Sequence, residues 1–149
     1  MKTLFAASLI LLATAASAVE SVAPAKLPPG HAPIGRPADL GDIKVPKAVG
    51  ANARTVAEIV ARRAELKDQP VLVRGKVVKF NREIMGKNWL HLRDGSGSAA
   101  EGSNDILVTT MASAKVGDVV TVTGIVRADK DFGAGYSYQV LIEEATLKP

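Results

Sequence analysis

The 149-residue chain contains no cysteine. That excludes a disulfide framework, a thiolate zinc site, an iron–sulfur cluster, covalent c-type haem, a cysteine nucleophile and a lipid-modified N-terminal cysteine. Histidine is nearly as scarce. His31 and His91 are the only two, too few for the usual multi-histidine catalytic zinc site. Aromatic residues make up 4% of the chain, so its core must be mostly aliphatic. A dominant charge is lacking too. Residues 71–149 carry ten basic and nine acidic side chains. Strong nucleic-acid binders draw most of their affinity from phosphate neutralisation, and this balance gives little sign of it. There is also no long hydrophobic run. The longest, Leu4 to Ala16, is too short to span ~30 Å of hydrocarbon at about 1.5 Å per residue.

That run has a different meaning. Lys2 supplies a positive start, the apolar stretch follows, and Ala16-Ser17-Ala18 is a small-x-small cleavage pattern. Residues 1–18 read as a signal peptide cleaved after Ala18. The leader is of bacterial type, so the expected location is the periplasm, with no membrane span in the mature chain. Residues 19–50 hold six of the eight prolines, Pro24, Pro28, Pro29, Pro33, Pro37 and Pro46. Proline removes backbone donors and biases its predecessor toward extended geometry. The segment is expected to be a Pro-rich extended arm, or to lie across the domain surface, and to add little to stability. His31 falls within it as a solvated linker residue.

Residues 51–149 form the expected folded domain. Thr55-Val56-Ala57-Glu58 fits a capping box, and Val56, Ile59, Val60 and Leu66 follow at helical spacing. Pro70 ends this helix. Strands are then expected over Val71–Asn81, Asn88–Asp94, Ile106–Thr110, Val119–Arg127 and Tyr136–Leu147. Asp94-Gly95-Ser96-Gly97 reads as a turn. Gly75, inside the first strand, marks a bend or a close approach. In the second strand Leu90 and Leu92 point one way, and Trp89, His91 and Arg93 the other. Five short strands at these spacings suggest a small barrel or sandwich.

Three stretches carry a closer resemblance. They are Gly75-Lys76-Val77-Val78-Lys79-Phe80-Asn81, Ile84-Met85-Gly86-Lys87-Asn88-Trp89-Leu90-His91-Leu92 and Asp131-Phe132-Gly133-Ala134-Gly135-Tyr136. They resemble a group of exported bacterial OB-fold proteins, commonly labelled nucleic-acid binding by fold alone. Val116 to Gly124 likewise resembles the fourth strand of many OB-folds. The resemblance covers residues 55–149 and implies an all-β domain with one N-terminal helix, a five-stranded OB-fold barrel. Between strands three and four, where OB-folds often carry a helix, only Met111 to Lys115 is available.

An OB-fold binds ligands on strands two and three, between the loops after strand one and before strand five. Mapped onto this chain, that face takes Lys79, Trp89, His91, Arg93, Phe132 and Tyr136. Five of the six aromatics lie in or beside the elements that build it. Trp89 is expected on a partly open surface beside Met85 and Tyr136. No catalytic set is evident. The single domain histidine has no nucleophile beside it in sequence, and adjacent Glu143 and Glu144 are expected on opposite faces of a strand. The first reading is a non-enzymatic periplasmic binding or adaptor protein, without cofactor, for a small ligand or a protein partner. A second is single-stranded nucleic-acid binding through aromatic stacking with Arg74, Lys76, Lys79, Arg82, Lys87 and Arg93. A third is a copper site, with Met85, His91 and Met111 offering thioethers and an imidazole to Cu(I).

Overall fold

The computed structural model describes residues 40–149. The expected leader, its cleavage point after Ala18, and the arm as far as residue 39, with His31, lie outside the described residues. The capping box forms as expected. Thr55 Oγ1 accepts from the Glu58 amide, and the Glu58 carboxylate accepts from the Thr55 amide at 2.6 Å. The helix it opens is shorter than the apolar spacing implied. α1 covers Val56–Ala61 and α2 covers Arg63–Leu66, separated at Arg62, whose φ of −106° and ψ of 25° depart from helical values. The single expected helix is thus two short ones, and Val56, Ile59 and Leu66 still bury the apolar stripe. No helix among the described residues is long and apolar enough to cross a membrane.

Five strands follow: β1 (Pro70–Ile84), β2 (Lys87–Arg93), β3 (Ile106–Thr110), β4 (Val119–Asp131) and β5 (Ser137–Lys148). They close on themselves in the order β1-β2-β3-β5-β4, every neighbouring pair antiparallel except β3 with β5. β1 serves both sides of the ring, since Pro70–Lys76 pairs with β4 and Lys76–Ile84 with β2. Gly75 sits at that changeover. A Cβ there would lie 2.7 Å from Leu92 Cγ and 2.9 Å from the Arg93 carbonyl oxygen, so the close approach requires glycine. Inside the ring, Val71, Val73, Val77, Leu90, Leu92, Val108, Val122 and Ile142 pack with Val56 and Ile59 of α1.

Two irregularities decide what lies outside the ring. The β1–β2 register slips between Val77 and Lys79, and Val77 and Val78 are both buried. A strand alternates sides, so one extra residue swaps the parity beyond it. Phe80 therefore packs on the inner core and Lys79 faces out opposite His91. The second slip lies where β5 passes Glu144, at φ 54°. There Glu143 and Glu144 do not diverge to opposite faces as alternation implied. Arg127 donates to both, from Nε to Glu143 and from Nη2 to Glu144, each at 3.1 Å.

The described end of the arm lies across the domain. The Val45 amide donates to the Asp94 carbonyl at 2.9 Å and Lys47 pairs with Glu58 at 2.8 Å, while just beyond the arm Ala53 bridges to Leu72. The described end of the arm thus takes the second of its two expected courses, across the domain surface, tied to α1 and to the loop after β2.

Candidate functional site

The outer face of β1, β2 and β3 carries two adjoining groups of side chains. The first is aromatic. Trp89 lies on the opposite side of β2 from Leu90 and Leu92, as strand alternation predicts, yet it is only 3% exposed. Leu107 and Leu141 pack beside it, with Ile84, Phe132 and Tyr138 at the margin. Phe132 meets it edge-on at 5.1 Å between ring centroids, with Tyr138 at 5.7 Å and Tyr136 at 6.1 Å. Its indole Nε1–H donates to the Ile84 carbonyl at 2.7 Å. Trp89 is thus the centre of a small second core, not the partly open platform expected. The β4–β5 hairpin supplies the cover. Its Phe132 and Tyr136 come from beyond the ring and fold back over β2. Burial pushes the Tyr138 hydroxyl pKa up, and the neighbouring Tyr136 adds to that.

The second group is charged. Lys79 of β1 pairs in register with His91 of β2, and Arg93 lies two residues further along the same face. Asp105, immediately before β3, joins them. Its Oδ1 lies 2.6 Å from His91 Nδ1, and its Oδ2 accepts from Arg93 Nε at 2.8 Å. Burial raises the Asp105 carboxyl, but the hydrogen bonds and charge of His91 and Arg93 outweigh it and hold the pKa below the ordinary carboxylate value. Lys79 is 8% exposed and has no hydrogen bond or ion pair among the described residues. Burial pulls its ammonium pKa down, and the nearby negative charge of Asp105 offsets part of that. Among the described residues the hydrogen bond of the Arg93 guanidinium runs from Nε, not from its terminal nitrogens. Arg93 also lines a polar hollow of about 190 Å³ bounded by Ile43, Ser96, Ser98 and Asn104.

The expected site residues therefore fall into two sets. Lys79, His91 and Arg93 share one charged patch, while Trp89, Phe132 and Tyr136 form the aromatic cluster beside it. The proposed copper ligands are not brought together. His91 stands opposite Leu107, and Met111 is four residues past Leu107, roughly 13 Å at about 3.3 Å per residue. Met85 occupies the β1–β2 turn, at the same end of β2 as Met111 and six residues before His91, so both thioethers lie away from the imidazole. Asp105 was missed by pattern reading. It stands in an irregular connection where no periodicity marks it, and only its place directly before an apolar strand could have drawn notice.

Asp105 offers a test of this electrostatic arrangement. Its folded-state pKa is depressed, so its stabilising contribution is complete above the unfolded value and is lost as pH falls through the folded one. Asp105→Asn is expected to lower the thermal midpoint at pH 7. The gap to the parent should narrow as pH falls below about 4. A gap that stays constant down to pH 2 would show that charge is not what Asp105 contributes.

No family model matches this chain, and a search of curated proteins finds no match either.

Proposed function

We propose that this chain is an exported, periplasmic OB-fold binding or adaptor module, without catalytic activity of its own, that receives an anionic group on the outer face of β1, β2 and β3. The β1-β2-β3-β5-β4 order with one parallel pair supports the OB-fold reading. The leader pattern in residues 1–18 supports export. The observation that carries the ligand class is Lys79. Most of its side chain is covered, yet its ammonium makes no hydrogen bond or ion pair among the described residues and feels Asp105 only through space, so its donors are left for a ligand. Beside it, Asp105 already holds His91 Nδ1 and Arg93 Nε, which leaves the outer donors of this patch for a ligand. An incoming carboxylate or phosphate supplies Lys79 with a direct acceptor.

The test separates binding from structure. Lys79→Met keeps the aliphatic stem and removes the charge. Its thermal midpoint is expected to equal or exceed that of the parent, while binding of an anionic probe is lost. Inorganic phosphate, a tetraglutamate peptide and a short single-stranded oligonucleotide serve as probes, followed by calorimetry and by the fluorescence of Trp89, the only tryptophan. A destabilised Lys79→Met protein that still binds the probe would make Lys79 a structural cation and remove the proposal's basis. Tightest binding of the oligonucleotide, falling steeply with salt, would replace it with the nucleic-acid reading.

A further inference from the structure

A concavity lies away from the charged patch, where β3 and β5 part. β3 ends at Thr110, while β5 continues to Lys148. Their parallel pairing becomes irregular after Val108, and its last registered pair is Thr110 with Ala145. The connection from Met111 to β4 is too short to lay a helix over the gap. What remains is a mostly apolar cleft of about 520 Å³, bordered by Met111, Ala145 and Leu147, with Lys87 at its rim. That volume is within the range of about 300–1,000 Å³ usual for small-molecule sites. Thr109 contributes to its wall. Its Oγ1 is buried and meets no hydrogen-bond partner among the described residues.

The charges at the rim are uneven in a way that selects a ligand. Glu144 also lines the cleft, but Arg127 Nη2 holds its carboxylate at 3.1 Å. Lys87 is less committed. Its nearest acid is Glu143, at 3.6 Å, and Glu143 already has Arg127 at 3.1 Å and Lys130 at 3.5 Å. Glu143 can release Lys87 and remain paired. An apolar cleft with one available ammonium at its rim matches an aliphatic chain that ends in a carboxylate. Met111, 78% exposed at the mouth, is a flexible thioether able to fold over such a chain. We propose that the β3–β5 cleft binds an aliphatic carboxylate, its chain against Met111, Ala145 and Leu147 and its head on Lys87. The inference does not rest on the anion-binding face, since none of Lys79, His91 and Arg93 lines this cleft.

The experiment uses the purified chain and two probes of equal length, decanoate below its micellar concentration and decanol. Binding is read by calorimetry and by the methyl resonance of Met111. Decanoate is expected to bind saturably and to shift that resonance. Lys87→Gln should weaken decanoate by about tenfold and leave decanol unchanged, as loss of one charge-assisted hydrogen bond predicts. Met111→Asp, a surface change that leaves the fold intact, should abolish binding of decanoate. Equal loss of both probes in Lys87→Gln would overturn the carboxylate assignment. No saturable binding of decanoate to the parent, or a response confined to residues around Lys79, would overturn the site itself.

Discussion

Trp89→Ala is expected to destabilise the fold by about 3–5 kcal/mol, the range for deleting a large aromatic side chain from a packed interior. The side chain is outside the ring, yet it is as buried as the inner core and is held by contacts from four directions. Leu107 and Leu141 pack beside it, Ile84 accepts its indole hydrogen, and Phe132 and Tyr138 close over it. Removing the ring leaves both the β1–β2 and the β4–β5 hairpins without the surface on which they meet. Trp89→Phe should lose less, because a smaller aromatic ring remains among the same neighbours although the bond to Ile84 and part of the packing are lost. Urea denaturation followed by far-UV circular dichroism measures both variants without relying on tryptophan emission. A loss under about 1 kcal/mol in Trp89→Ala would mean that the hairpin does not cover the ring and that Trp89 is the open platform strand alternation first suggested.

The contrast between orientation and burial at Trp89 shows what a linear pattern carries. Alternation along β2 is a local property. Leu90 and Leu92 inside, with Trp89, His91 and Arg93 outside, was legible from five consecutive residues. Whether an outward residue is covered depends on a chain segment more than forty positions later, and no periodicity reports that. Lys79 illustrates a second limit. Counting by twos from Val73 and Val77 places Lys79 inside the ring, and only the extra residue at Val78 turns it out toward His91. Glu144 is the same case on β5. Bulges arise where two strands must curve to close a ring, a demand of the whole sheet that leaves no fixed mark in one strand. The five strands and the capping box were legible because each is marked by its own local run of residues. The charged patch was legible in part. Its basic members sit on strands, whereas Asp105, which organises them, sits just outside one.

Asp94→Ala is expected to cost about 3 kcal/mol or more, although the Asp94-Gly95-Ser96-Gly97 stretch reads locally as a simple turn. The reason is on α1. The first N–H groups of a helix have no partner within it. Here Asp94 Oδ2 accepts from the Val56 amide at 2.9 Å, Ser96 Oγ from Ala57 at 3.0 Å and Thr55 Oγ1 from Glu58 at 3.1 Å. Two of these three acceptors come from the far end of β2, so the loop after β2 fastens the helix that seals the inner core. Asp94 is 6% exposed, and its Oδ1 also accepts from Ser96 N and Oγ. Its removal unseats the neighbouring cap as well as its own. Thr55→Ala should cost less, about 0.5–2 kcal/mol, because it removes one cap and leaves the loop in place. Gly95→Ala tests the other side of the same loop. Gly95 has φ 91°, and a Cβ there would stand 2.0 Å from the Ile43 carbonyl oxygen, so the arm must move. Amide exchange distinguishes the two lesions. Asp94→Ala should remove protection from Val56 and Ala57. Gly95→Ala should remove it first from Val45, whose amide is bonded to the Asp94 carbonyl, while α1 stays protected. If Asp94→Ala leaves Val56 protected and costs no more than Thr55→Ala, the loop is not what holds α1, and the helix is kept in place by Val56 and Ile59 in the core alone.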